Sequence, residues 1–199
     1  EYREAYAKIA YDPNLHGLLA AETRGRGMLY ACSVYLPIDV AVVEPHCDYL
    51  KCSSFESGDS AMRDAFWPYR HKTIVSFGMG GDPRGYEEFA ARLHCVSAYP
   101  TPEDQMNLGV IAKGLDGLSD HSKHPWTGAL AVAAGARFVE FHVRLDEADP
   151  ANADYAVART PAEAQEYVAN IRLTERMLGD GVKSIQPSER AMLKYLAKP

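Results

Sequence analysis

The 199-residue sequence has no run of about 20 apolar residues, so it offers no candidate for a membrane-spanning helix. Nor does it show the charged, apolar and small-residue succession of a secretory leader, and it begins at Glu1 rather than Met. Cysteine is scarce: only Cys32, Cys47, Cys52 and Cys95 occur, and no two are spaced as C-x-x-C, which argues against a cysteine zinc site. Three of them lie in or beside apolar runs, as expected of buried free thiols in a reducing, cytoplasmic setting. Positive charge is also in short supply. With 21 Lys and Arg against 27 Asp and Glu the net charge is −6, which argues against a general nucleic-acid binder while leaving room for one phosphate in a local basic pocket. Low-complexity stretches and a strong internal repeat are missing as well.

What is present is ordinary globular material, 47% hydrophobic and 24% charged, enough for one domain spanning 1–199. Short apolar runs at 28–33, 47–53, 73–77, 91–96, 115–118 and 137–143 read as strands. Between them, helices are expected over 38–44, 60–69, 84–90, 103–113 and 127–134, with a long one over 161–178 that Thr160 caps, Pro161 starts and Gly179 stops. Two further amphipathic stretches cover 1–23 and 187–197, and the polar segment 146–158 is the most linker-like. Strand and helix in repeated alternation imply a parallel α/β sheet, either open or six-eighths of a barrel.

In parallel α/β folds the chemistry collects at the carboxyl ends of the strands. Here those ends hold Ser33, then Lys51 with Ser53, Ser54 and Glu56, then Ser76 before the glycines 78, 80 and 81. Further on come Ser97 and Tyr99, then Ser119, Asp120 and His121, then Glu140 and His142. Taken singly, each histidine fits a hydrogen-bonded structural role. At the ends of neighbouring strands, His121 and His142 can instead converge on one ion, with Asp120 and Glu140 as carboxylates that would bias the ring tautomers. His16, His46, His71 and His124 have no such pairing and are expected on the surface. Lys51 interrupts an apolar strand and must meet an anion. That anion is either a structural carboxylate such as Glu56 or a substrate phosphate or carboxylate, to which Ser33, Ser54, Ser76 and Ser97 could also donate.

The ordered strand-end blocks 49–56, 74–79, 93–102, 118–121 and 139–145, with the two histidines spaced 21 residues apart (121 to 142), resemble the sialic acid synthase family, which includes pseudaminic and legionaminic acid synthases. The resemblance runs from about residue 17 to about residue 190. It implies a (β/α) TIM-type barrel, here incomplete at about six strands with the first strands missing, and a linker starting at 187–199. The implied activity is condensation of phosphoenolpyruvate with an N-acyl hexosamine such as N-acetylmannosamine, giving a nine-carbon 2-keto sugar acid and phosphate. It further implies a divalent metal, manganese by preference with magnesium or cobalt as alternatives, held by His121 and His142. Lys51, Ser54, Ser76, Ser97 and Tyr99 fall at positions that hold phosphoenolpyruvate, and Ser33 falls at a phosphate-binding position. Lys51, Glu56 and Asp120 fall at catalytic, sugar-side or supporting positions, and Asp154 at the position of a sugar-binding aspartate. Family members pair as dimers, so a homodimer of the full-length protein is implied too.

The sequence departs from the family in lacking its first strands, and with them a glutamate and a second phosphate-binding lysine. The C-terminal antifreeze-like domain is absent too, Ser97 replaces the usual asparagine, and Phe141 replaces the lysine before the last histidine. Three accounts follow: a piece of a longer product, which the start at Glu1 favours; a compact variant completed by another chain; and a degenerate metal- or ligand-binding module. A related phosphoenolpyruvate–aldose synthase is the competing enzymatic reading.

Overall fold

The computed structural model describes residues 12–196. Its centre is one sheet of six parallel strands in simple sequential order. These are β1 (Ala31–Ser33), β2 (Tyr49–Cys52), β3 (Thr73–Phe77), β4 (Ala91–Cys95), β5 (Gly117–Asp120) and β6 (Phe138–Phe141). A doubly wound sheet reverses its order at a switch point. The absence of any reversal here means that every crossover runs to the same side, and the sheet curls as part of a (β/α) barrel.

Helices cover the outer face: α1 (Pro13–Gly25), α2 (Pro37–Val43), α3 (Ser60–Phe66), α4 (Thr127–Ala133) and α5 (Pro161–Leu178). The longest, α5, starts and stops as its sequence predicts. Thr160 accepts from the Glu163 N–H while the Glu163 carboxylate accepts from the Thr160 N–H, a closed capping box, and Gly179 ends the helix at φ 61°. At α3, the Asp59 carboxylate caps by accepting from Ala61.

Two expected helices are not formed. Residues 84–90 make turns instead, because Pro83 and Gly85 (φ 84°) break the local run and the crossover is short. Aromatic rings fill the layer in place of the helix: Phe77 packs on Tyr86 at 5.1 Å and Tyr86 on Phe89 at 4.9 Å. The stretch 103–113 divides into 3-10 turns at Glu103–Gln105 and Leu108–Lys113, separated where Asn107 enters the left-handed region at φ 45°. Gly114 then turns with φ 112°, consuming Leu115, and β5 begins two residues later than its apolar run suggests. Likewise the helix expected over 60–69 is α-helical only to Phe66, beyond which Trp67–Lys72 is a 3-10 turn containing Pro68. The amphipathic stretch 187–197 forms a 3-10 run, Pro187–Tyr195, and residues 1–11 of the stretch expected over 1–23 lie outside the described residues.

Strand register sorts the side chains into two faces. Leu50, Cys52, Val75 and Phe77 face the helices and join Val40, Val43, Met62 and Phe66 in one buried cluster. Leu118 joins Met106, Ile111, Ala131 and Ala136 in a second. Cys47, Cys52 and Cys95 are buried and all four cysteines are free, as expected; burial pushes the Cys52 thiol up to about 12. His16 differs from its surface assignment: it is buried, hydrogen-bonded to the Tyr30 hydroxyl at 3.0 Å. Among the described residues no helix is long and apolar enough to cross a membrane.

Gly117 shows how tightly β5 and β6 are joined, since a Cβ there would overlap the Phe138 carbonyl oxygen. Backbone cannot yield as a side chain can, so Gly117→Ala is expected to cost about 1–3 kcal/mol. A thermal melt checks this; a midpoint equal to that of the parent would contradict the close approach.

Candidate functional site

The inner face of the curl is written by alternation. Ser33 pairs with Lys51, Ser76 with Leu93, Cys95 with Ser119, and Ser119 with Glu140. Partners in parallel register point to the same side. Ser33, Lys51, Ser76, Cys95, Ser119 and Glu140 therefore share the face opposite the helix-packed one. Two residues further along, the same phase brings Ser97, His121 and His142 to the carboxyl rim.

Lys51 is buried, and its ammonium donates to the Cys52 carbonyl at 3.1 Å and pairs with Glu140 at 3.4 Å. The Ser119 hydroxyl donates to the same Glu140 oxygen at 2.7 Å. The structural carboxylate expected for Lys51 is thus Glu140, not Glu56. Glu56 accepts from the Ser53 hydroxyl within the turn that follows β2. Ser119 and Glu140, present among the strand-end residues, take a part that the sequence did not assign them, holding Lys51; their phase, two residues before each histidine, is the signal that places them on its face.

Ser76 is 1% exposed and its hydroxyl has no partner among the described residues. A buried hydroxyl without a partner is costly, so its place on this face marks it as a donor for a ligand. Ser54 and Ser97 share a hydrogen bond of 2.8 Å. Gly78 permits that closeness, since a Cβ on it would collide with the Ser97 hydroxyl. Ser33 ends the edge strand β1 and is exposed.

At the rim, His121 is buried and His142 half-buried, with ring centres 5.2 Å apart. Tyr99 packs on His121 at 4.2 Å and meets His142 edge-on at 6.1 Å. His121 Nδ1 lies 3.0 Å from the Val96 carbonyl, an acceptor that requires a proton on Nδ1 and leaves Nε2 as a lone pair. His142 Nδ1 lies 3.4 Å from the Asp154 carboxylate. The Asp154 carboxyl is held below the usual range by its hydrogen bond to His142, against the opposing effect of burial. The tautomer-setting partners are therefore a carbonyl and Asp154, and not Asp120 and Glu140. Burial pushes the Cys95 thiol up, but hydrogen bonding and charge from His121 outweigh this and leave it below its ordinary value.

A metal–nitrogen bond of about 2.1 Å puts each imidazole centre roughly 3.2 Å from a shared ion, so two ligating rings stand about 5 Å apart. The observed 5.2 Å separation, with Nδ1 engaged on both rings, fits two Nε2 ligands. Among the described residues no group of three or more His, Cys, Asp and Glu side chains is gathered to hold a metal. A two-imidazole donor set would leave further coordination positions to solvent and substrate oxygens.

Asp120 lies on the other face. It is 1% exposed and accepts from Arg159 at 3.1 Å, from the Tyr167 hydroxyl at 2.6 Å and from the Ser122 N–H at 2.8 Å. Both oxygens are occupied in anchoring the segment after β5, which corresponds to the supporting position among those expected for Asp120. Burial, then the Asp120 charge, raises the Tyr167 phenol well above its ordinary value. Beside His142 a cavity of about 340 Å³ opens, lined by Arg144, Asn152, Asp154 and Tyr155 among others.

The sequence model described as the NeuB family matches residues 1–183. Pseudaminic acid synthase of Campylobacter jejuni serotype O:23/36 is 33% identical over 192 residues, which cover 88% of this chain and 55% of that protein. N-acetylneuraminate-9-phosphate synthase of Homo sapiens is 34% identical over 113 residues, 53% of this chain and 31% of that one. The solved N-acetylneuraminic acid (sialic acid) synthetase of Leptospira borgpetersenii superposes with a TM-score of 0.83 at 24% identity, covering 93% of this chain and 70% of that one. Spore coat polysaccharide biosynthesis protein spsE of Bacillus subtilis gives 0.72 at 26%, with 85% and 52% covered. The chain thus spans about half or less of the length of these two curated relatives.

Proposed function

The chain belongs to the NeuB family, and from that premise we propose that it carries the metal and phosphoenolpyruvate side of a sialic acid-type synthase site. The reaction is the condensation of phosphoenolpyruvate with an N-acyl hexosamine of the N-acetylmannosamine kind. Carbon 3 of phosphoenolpyruvate bonds to the sugar aldehyde, water adds at carbon 2, and phosphate leaves, giving a nine-carbon 2-keto sugar acid.

The observation that carries this reading is the buried hydroxyl of Ser76, without a partner among the described residues, on the same face as the buried ammonium of Lys51. A doubly or triply charged anion needs a fixed cation and fixed neutral donors. Lys51 supplies the cation, and Glu140 with Ser119 sets where it points. Ser76, Ser54 and Ser97 supply hydroxyls without bulk, and Ser33 extends the row at the edge. Tyr99 walls the rim above the histidines, and Asp154 holds His142 while facing the cavity where the sugar would lie. His121 and His142 would hold a divalent ion, manganese by preference. Such an ion supplies Lewis acidity at the aldehyde oxygen.

Phosphate release from phosphoenolpyruvate with N-acetylmannosamine and manganese is the direct assay, with calorimetric binding of phosphoenolpyruvate beside it. Removing a charge-assisted hydrogen bond of about 1.5–3 kcal/mol weakens binding about ten- to a hundredfold. Lys51→Ala is expected to lose that much phosphoenolpyruvate affinity and to keep its sugar affinity. Equal loss of both, with a lowered melting midpoint, would mean a folding defect. No phosphoenolpyruvate binding by the parent protein would refute the reading.

A further inference from the structure

The two histidines stand beyond the part of the sheet that could set their spacing. The β5–β6 ladder ends at the pair Asp120 and Phe141, one residue short of each ring. The residue that spans the gap is Arg159, 39 positions from Asp120 in sequence and 2% exposed.

Its main chain runs beside the segment after β6. Val143 and Arg159 form a parallel bridge, the Arg159 N–H donates to the His142 carbonyl at 2.8 Å, and the Arg144 N–H donates to the Arg159 carbonyl at 2.9 Å. Its side chain crosses to the segment after β5. There the guanidinium donates to the Asp120 carboxylate, the Ser122 carbonyl and the His124 carbonyl, each at 3.1 Å. Two of those acceptors, on Asp120 and Ser122, flank His121 directly. The guanidinium also lies over the Tyr167 ring at 4.0 Å, and Tyr167 in turn packs on Phe141 at 4.7 Å and donates to Asp120. One residue therefore grips the backbone of one histidine and both neighbours of the other.

We propose that Arg159 is a positioning residue that sets the separation of His121 and His142, and so tunes the affinity of the pair for a divalent cation. This rests on the reading of those histidines as metal ligands. The planar fork is what the task requires: it reaches three acceptors at fixed angles, whereas an ammonium on a flexible stem offers a single point of charge. Partners one step removed from a metal ligand alter affinity about 10- to 100-fold when lost.

The test uses cobalt(II) as probe, followed by its visible absorption, together with the melting midpoint of the metal-free protein. Arg159→Lys keeps the buried charge and removes the fork. The double variant Asp120→Asn/Arg159→Met removes the charge pair, which guards against a variant that fails only because a carboxylate is left buried alone. Both are expected to bind cobalt at least about tenfold more weakly than the parent, with an altered spectrum at saturation, while remaining folded. His121→Ala serves as the reference for a lost ligand. If His121→Ala loses cobalt binding while the folded Arg159 variants keep the parent's affinity and spectrum, the clamp is overturned and the metal reading stands. If His121→Ala itself binds cobalt as the parent does, the metal reading falls and the clamp falls with it.

Discussion

Replacing His121 and His142 together by alanine is expected to weaken divalent metal binding by more than about a hundredfold and to abolish metal-dependent phosphate release. The magnitude follows from rank: losing a partner one step removed from a ligand already costs about 10- to 100-fold, and here both imidazoles go. The geometry makes the change selective. Each ring has its Nδ1 engaged, His121 with the Val96 carbonyl and His142 with Asp154, so the lost lone pairs are the Nε2 pair at the rim. His142 is half-buried, so His142→Ala alone disturbs packing little and separates ligand loss from misfolding. Manganese titration by electron paramagnetic resonance on the folded double variant is the measurement. Parent-like affinity there would end the metal assignment.

Asp120→Ala should be the most destabilising single change near the site. It would leave the Arg159 guanidinium, with 2% of its side chain exposed, without its carboxylate, and it would remove an acceptor from the Tyr167 hydroxyl and the Ser122 N–H. Breaking a buried pair from one side costs about 3–5 kcal/mol. For a chain of this size each kcal/mol shifts the melting midpoint by roughly 2–4 °C, so a fall of about 6–20 °C is expected. Asp154→Ala is the contrast, because its side chain is 53% exposed and its loss should scarcely move the midpoint. A melt of Asp120→Ala within a degree or two of the parent would show that the pair is not structural. Replacing the pair with well-packed apolar side chains of similar volume, by contrast, is often neutral or stabilising.

Asp120 and His121 also show how far a linear reading reaches. Both stand at the end of one apolar run, and a strand-end argument treats them alike. The pleat separates them: Ser119 and His121 face inward with Glu140 and His142, while Asp120 turns out to Tyr167 on α5. Alternation is local, so this division is available from the sequence once the strand's phase is known. The start of the strand was displaced, because Gly114 in the left-handed region took Leu115 into a turn and moved β5 on by two residues, but a shift of two leaves a period-two alternation in phase. The missing helices have similar local causes, at Pro83 with Gly85 and at Asn107. Apolar periodicity is a signal spread over a whole segment, whereas one residue's backbone conformation is enough to break the helix it suggests.

The sequence by itself determined the six parallel strands, the long capped helix and the pair of histidines at neighbouring strand ends. Each of these is written in short-range patterns: apolar runs, a Thr-Pro cap, residues at the ends of strands. Only the tertiary structure decided who partners whom. It gave Lys51 to Glu140 across most of the sheet, left the Ser76 hydroxyl without a partner among the described residues, and set Arg159 against Asp120. Such pairings carry no local signature, because the free energy that selects them arises only when distant segments are buried together and each polar group must find a partner out of water. The histidine pair was legible as two residues, and what holds them at one spacing became visible only in the fold.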